Sequence, residues 1–359
     1  MNILLITDLY PVKEDEKTTP KTLSNFVREW ENSGHKVDVI KPNFILNSFI
    51  RKKPFYKTGL YGKILNLNYW LPFCFNVKQK YNFSLDYDLA IAHMPSGILF
   101  ADKLNIPFVA GIHNSDLTVL SNPFYKFYFG KRLKKALDNS KAIACRSYVI
   151  KEKLLKLCPQ YAHKTFVAPS GINKSIINDN IYENEIDKHN LKIVTCANII
   201  KRKHIDKLIR ACRRTPNVEL TVIGDGKLRK KLEKIDRNVK FTGHLKPTDV
   251  YKIMRQNDIF ILPSVNETFG MVYLEAMASG CITVCTKNDG IDGIIKDGEN
   301  GFLVEPNVED IYKLISEIKN SDTNKLMRLK KNSINTIKNL TSDVAAQNYI
   351  NQILRFCND

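Results

Sequence analysis

No stretch of the chain reaches the roughly 18 consecutive apolar residues that a membrane-crossing helix needs. The opening segment, Met1 to Tyr10, has neither the charged start nor the small-residue cleavage site of a secretion signal. It runs at once into the strand-like Ile3, Leu4, Leu5 and Ile6. A cytoplasmic protein is expected. Cysteine is sparse and scattered, at positions 74, 145, 158, 196, 212, 281, 285 and 357. The one close pair, Cys281 and Cys285, sits in an apolar segment without histidine. That pattern excludes a disulfide framework and argues against a zinc site. Acidic residues are in deficit, 37 against 55 Lys and Arg, and the net charge of +18 is weighted toward the first half. Such a field favours an anionic partner: nucleic acid, acidic lipid or a phosphorylated substrate. Zinc-finger spacing, an RNA-binding consensus and a basic zipper are all missing, so nucleic acid is not the expected partner. Low-complexity tracts and short repeats are missing too.

What is present is an ordinary globular composition, 43% apolar and 26% charged, over 359 residues. That length suits two domains, each with its own core. Short apolar runs alternate with helical patterns, the mark of βα units and a parallel sheet. In the first half the runs fall at 2–7, 36–40, 89–92, 108–111, 142–144 and 165–168, with a helix at 20–32 closed by Gly34. Residues 173–190 are polar, charged and without period, and read as a linker. A second series follows at 192–196, 219–223, 239–242, 259–262 and 282–285, and residues 308–319 and 341–357 look helical. The expected fold class is α/β, two Rossmann-like domains facing a central cleft. Their expected bounds are 1–172 and 191–340, with a final helix, 341–359, packing back on the first domain. Ligands bind beyond the carboxyl ends of such strands, so chemistry is expected in the segments just after them.

The most informative stretch is 258–280, DIFILPSVNETFGMVYLEAMASG. A strand ending near Leu262 and a helix starting near Thr268 would leave the N–H groups of Thr268, Phe269, Gly270 and Met271 free to bind an anion or hydroxyl. Glycine at 270 permits close approach of a ligand. On one helix, Glu267 and Glu275 would stand roughly 12 Å apart along the axis, a span suited to two ends of one extended ligand. Glu275 lies in an apolar run, Leu274 to Ala278, where a carboxylate needs a partner.

This stretch resembles the Glu-x7-Glu motif of the large retaining glycosyltransferase family four, which has the GT-B fold. The resemblance extends over nearly the whole chain, with several motifs in order. It implies that Glu267 lies beside a donor sugar and that Glu275 binds ribose hydroxyls. The amides around Phe269, Gly270 and Met271 would hold sugar hydroxyls and phosphate. Residues 197–206, ANIIKRKHID, are similar to the family's Gly-Arg-x4-Lys-Gly segment, whose basic pair neutralises a diphosphate. Lys203 takes the lysine position. Asn198 stands where the family has arginine, so Lys201 or Arg202 is expected to supply the second charge. A fixed cation there lowers the barrier to departure of a nucleoside diphosphate. Gly224-Asp225-Gly226 is similar to a turn lining the diphosphate site, and Gly243-His244-Leu245 to a base-contacting turn.

In the first half, His113-Asn114-Ser115-Asp116 resembles the family's His-Gly-Ser-Asp segment, which implies His113 near the reactive centre. His93 resembles a second, structural family histidine. The first loop, 8–19, lacks the family's glycine pair. Asp86-Tyr87-Asp88 matches a metal-binding Asp-x-Asp pattern but precedes a strand, and reads as a turn. No metal or other cofactor is expected, with Lys203 and helix N-termini holding the diphosphate. The implied activity is sugar transfer, with retention, from a nucleotide-sugar donor to a glycan or lipid-linked acceptor. Two alternatives stand beside it: a GT-B sugar-nucleotide epimerase, and a non-enzymatic binder of nucleic acid or anionic membrane. Two segments mix cations with aromatics: 51–57 with Tyr61 and Lys63, and 124–129 with Lys131, Arg132, Lys134 and Lys135. They suggest peripheral attachment to the inner face of the plasma membrane.

Overall fold

The computed structural model describes residues 1–11, 21–41, 49–51, 86–178 and 186–357. The chain forms two compact units, Met1–Arg146 with Ile150–Ser170 and Ser342–Asp359, and Ser147–Val149 with Gly171–Thr341. The helix Ser342–Cys357 thus belongs to the first unit, and residues 173–178 of the expected linker to the second.

The first unit is built on a seven-stranded sheet: β1 (Asn2–Ile6), β2 (Lys36–Lys41), β3 (Phe49–Arg51), β4 (Leu89–His93), β5 (Phe108–Ile112), β6 (Ala142–Cys145) and β7 (Thr165–Val167). Their order is β3-β2-β1-β4-β5-β6-β7, and every pair is parallel except β2 with β3. The central strands are apolar without alternation because helices cover both faces; Ile3, Leu4, Leu5 and Ile6 are fully buried. On one face the helix Thr22–Asn32 buries Leu23, Phe26, Val27 and Trp30, at helical spacing. The helix Ser342–Cys357 packs against it. Trp30 donates its indole N–H to the Ala346 carbonyl at 3.0 Å, and the Phe26 and Tyr349 rings meet edge to face at 5.5 Å.

The second unit has six parallel strands: β8 (Leu191–Cys196), β9 (Val218–Ile223), β10 (Lys240–Gly243), β11 (Ile259–Ile261), β12 (Ile282–Thr286) and β13 (Phe302–Val304). The order is β10-β9-β8-β11-β12-β13. In each sheet the strand order reverses at one place, between β1 and β4 in the first and between β8 and β11 in the second. Connections leave such a switch point in opposite directions and open a crevice at the carboxyl ends of its two strands. Within each unit the candidate residues gather at its own switch point.

Candidate functional site

In the second unit the loops after β8 and β11 flank the switch point. The β8 loop passes through a single 3-10 turn, Lys201–Lys203, and ends on His204 in a left-handed conformation before the helix Ile205–Arg213. The two loops are tied together by Val265 N–H donating to the Arg202 carbonyl at 2.9 Å. Beyond β12, the buried Asp289 carboxylate accepts from the Asn266 and Glu267 amides at 2.6 and 2.7 Å. Glu267 is thereby held with its side chain over the β8 loop. Its Oε1 accepts from Arg202 at 2.5 Å, from Ser264 Oγ at 2.5 Å, and from Lys203 Nζ. Burial pushes the Glu267 carboxyl up, but Lys203, Ser264 and Arg202 together outweigh it and hold the group below its usual range. Of the two cations considered as substitutes at the Asn198 position, Arg202 is the one on this carboxylate.

The helix after β11 begins later than expected, at Met271 rather than Thr268. Gly270 takes a left-handed φ of 90°, and a Cβ there would lie 2.6 Å from the Tyr273 ring. That turn breaks the chain direction and starts the helix afresh. Glu267 and Glu275 therefore do not share a helix, and the 12 Å axial spacing does not apply. Thr268 and Phe269 belong to the loop, with Phe269 buried, while Met271 opens the helix. Glu275 lies within it, partly buried. No hydrogen bond or ion pair holds its carboxylate among the described residues, and burial alone pushes the group up to about 7.

Gly224 and Gly226 serve close packing of two loops. A Cβ on Gly224 would lie 2.0 Å from the Ala197 carbonyl oxygen, and one on Gly226 would lie 2.5 Å from that of Ile199 and 2.7 Å from Asn198 Oδ1. The gap is closed by Ile199 N–H donating to the Asp225 carbonyl and Leu228 N–H to that of Ile199. Asn198 is itself exposed beside this seam. His244 is exposed just after β10, and Leu245 is half-buried beside it. A cation passed over in the sequence, Arg229, stands under the same turn. It pairs with Asp225 at 3.0 Å and Glu233 at 2.8 Å.

In the first unit His93 closes β4 and His113 follows β5. His93 Nδ1 and His113 Nε2 share a hydrogen bond of 3.0 Å, and His93 Nε2 meets the Tyr349 hydroxyl at 3.2 Å. Gly111, opposite His93 in the sheet, makes this possible: a Cβ there would sit 2.2 Å from His93 Nδ1. The His113 amide donates to the Asp116 carboxylate at 2.8 Å, which fixes the start of the helix Asn114–Ser121. Burial, with the charge of Arg146 nearby, lowers the His113 ring to about 3, and burial, the His113 ring and Arg146 push His93 down as well. Both rings are neutral at physiological pH. Arg146 is buried with no carboxylate partner among the described residues, donating to the Ala168 carbonyl and Ser170 Oγ.

Sequence reading missed Asp289, Ser264, Gly111 and Tyr349. Asp289 and Gly111 follow or end parallel strands next to the switch strands, and that position is the signal that marks them. Tyr349 lies 256 residues from its partner and carries no local signal. Asp86-Tyr87-Asp88 ties the start of β4 to β1 and β2: Asp88 accepts from the Asn2 amide at 2.7 Å and the Tyr87 hydroxyl donates to Asp38 at 2.7 Å. The glycine-free first loop lies outside the described residues from position 12.

Two doubly wound units with cations and carboxylates at a switch point define the GT-B class. The description "Glycosyltransferase Family 4" matches residues 21–175 and "Glycosyl transferases group 1" matches residues 177–336. An uncharacterized glycosyltransferase of Methanocaldococcus jannaschii is 33% identical over 232 residues, 63% of this chain and 62% of that protein. The alpha-monoglucosyldiacylglycerol synthase of Acholeplasma laidlawii is 26% identical over 281 residues, 70% of each chain. The crystal structure of Anabaena HepE in complex with UDP superposes with a TM-score of 0.68 at 16% identity, covering 99% of this chain and 100% of that one. The chain spans about three-fifths of the archaeal relative's length. It belongs to the GT-B glycosyltransferases of family 4.

Proposed function

We propose that the protein is a retaining glycosyltransferase moving a sugar from a nucleoside diphosphate sugar to a hydroxyl of a glycan or lipid-linked acceptor at a membrane surface. The observation that carries this reading is the convergence of Lys203, Arg202 and Ser264 on Glu267 at the switch point of the second sheet. Two cations held on one carboxylate are positioned to exchange it for a diphosphate. As the bond from the anomeric carbon to the diphosphate oxygen breaks, negative charge grows on that oxygen, and fixed cations stabilise it more than they stabilise the bound donor. The acceptor oxygen bonds to the same face of the anomeric carbon, and its proton passes to the departing phosphate. Glu267, freed from the cations, orients the sugar. A histidine held neutral down to about pH 3 is no proton acceptor at pH 7, so His113 acts by hydrogen bonding and shape. Glu275 accepts the ribose hydroxyls, and the backbone around Thr268, Phe269, Gly270 and Met271 meets sugar and phosphate. Asn198, Gly224 and Gly226 line the diphosphate side, and His244 and Leu245 the base. The cations of the chain take the place of a metal.

The name of the Acholeplasma relative supports a lipid acceptor, and the HepE complex supports a nucleotide donor. A screen of nucleotide sugars for diphosphate release, with and without saccharide and glycolipid acceptors, tests the reading. Release that depends on acceptor, with an α-linked product from an α-linked donor by NMR, is expected. Free altered sugar without acceptor identifies an epimerase instead, and no turnover of any nucleotide sugar refutes both.

A further inference from the structure

The aromatic segments read from the sequence as membrane contacts divide in the structure. Phe129 is buried and Tyr125 packs on the first unit's core, while Phe124, Phe127 and Tyr128 are exposed. Residues 52–57, Tyr61 and Lys63 lie outside the described residues. A different gathering of cations, on the second unit, surrounds a cavity of about 530 Å³. It lies between the last turn of the helix Ile205–Arg213 and residues 234–239, which lead into β10. Val218, on its wall, opens β9, and the Gly224-Asp225-Gly226 turn follows the far end of that strand. The six residues of β9 span about 20 Å, so the cavity is separate from the candidate site at the switch point.

The floor of the cavity is apolar: Cys212 and Leu220 are buried and Val218 is half-buried. Its rim carries Arg213, Lys234 and Arg237, all exposed. Arg213 Nη1 donates to the Ile235 carbonyl at 3.1 Å, which ties the helix end to the facing segment. Asp236 Oδ1 accepts the Asn238 amide at 2.9 Å and shapes the turn there. Arginines just beyond the cavity are engaged with carboxylates, Arg214 with Glu309 at 2.9 Å and Arg229 with Asp225 and Glu233. Lys234 and Arg237 have no ion pair or hydrogen bond among the described residues. Asp236 is the one carboxylate on the lining, so the three cations leave two positive charges in excess.

We propose that this cavity binds a phosphorylated small molecule, its phosphate held by Arg213, Lys234 and Arg237 and its body resting on Cys212, Val218 and Leu220. A phosphate monoester carries roughly two negative charges at neutral pH, which cancels the excess. The arginine forks meet two of its oxygens at once, and the lysine adds a point charge. Small-molecule sites run roughly 300–1,000 Å³, and a concavity in that range takes one sugar phosphate or nucleoside monophosphate whole. Binding here is independent of the transferase reading.

Calorimetric titration of the full chain with glucose-1-phosphate and with AMP tests it, on a protein carrying Arg202→Ala and Lys203→Ala so that the donor-side cations are removed. One equivalent of at least one of the two binds, more weakly as salt rises, while glucose and adenosine do not. Adding Lys234→Gln and Arg237→Gln weakens binding about a hundredfold, roughly tenfold for each charge-assisted contact removed. Both side chains are exposed, and an unchanged urea midpoint confirms folding. Amide exchange slows on binding at residues 234–239 and not at 224–226. Tighter binding of the sugar phosphate or of the nucleotide says which body fills the floor, and either supports the site. No binding of either, undiminished binding after Lys234→Gln and Arg237→Gln, protection confined to 224–226, or equal affinity for inorganic sulfate would overturn the proposal.

Discussion

Replacing Glu275 by glutamine should make the protein more stable and a poorer binder of its donor, with both effects set by pH. Burial places the carboxyl near 7 in the folded chain against 4.5 when free. Between those values the native state holds a proton the unfolded chain has released, so stability falls as pH rises through this window. The difference of about 2.5 units, at roughly 1.4 kcal/mol each, amounts to about 3 kcal/mol of destabilisation at pH 8. Glutamine removes it, so the gain in melting temperature should be full at pH 8 and nearly absent at pH 4. Binding runs the other way. On the proposed role of Glu275, donor hydroxyls need the ionised carboxylate as acceptor, so wild-type affinity for a nucleotide sugar should weaken about tenfold between pH 8 and pH 6. Glutamine at 275 should flatten that profile and lower affinity at pH 8 by about 1.5–3 kcal/mol, the value of a hydrogen bond to a charged group. Calorimetric titration with the intact nucleotide sugar is the assay, because its diphosphate does not titrate in this range. A Glu275→Gln protein with wild-type affinity and slope, or with no gain in stability at pH 8, refutes the reasoning.

Three further outcomes are expected. Lys203→Ala and Arg202→Ala should each reduce transfer at least tenfold, about 1.4 kcal/mol of barrier, while Glu267→Gln should lower turnover yet tighten nucleoside diphosphate binding in a competition assay, because both cations lose their carboxylate. Tyr349→Phe leaves His93 Nε2 buried without its partner; it should cost about 1–3 kcal/mol in denaturant melts and reduce kcat severalfold with donor KM unchanged. Gly111→Ala drives a Cβ into the His93 ring and should destabilise by about 3 kcal/mol or more, measured by urea unfolding.

The sheets were largely legible because their strands are uninterrupted apolar runs bounded by polar turns. The ends of β1, β4, β5, β9 and β12 fall within one residue of expectation. The strands β3 and β13 were not, although β7 and β11 are as short and were read from their apolar runs. Helix starts failed where a tertiary contact decides them: Gly270 reads as ligand clearance in sequence, and only the Tyr273 ring beside it shows why the helix waits until Met271. The candidate site divides the same way. Glu267, Lys203 and Arg202 sit after switch strands and are visible by position. The shared oxygen that joins them, and the clamp from Asp289, depend on three loops meeting and have no counterpart in one dimension.

The helix Ser342–Cys357 has a consequence for biosynthesis. Trp30, Phe26 and Phe166 find their cover in Tyr349 and Phe356, residues made only after the second unit's Gly171–Thr341. At 5–20 residues per second, roughly 10–40 seconds separate the emergence of β7 from that of its covering helix. During that interval the nascent first unit has its sheet but leaves an aromatic face uncovered, while the second unit can already close on itself. The unit begun first is thus completed after the second, and chaperone contact with ribosome-bound chains should concentrate on Phe26, Trp30 and their neighbours until the helix Ser342–Cys357 has emerged.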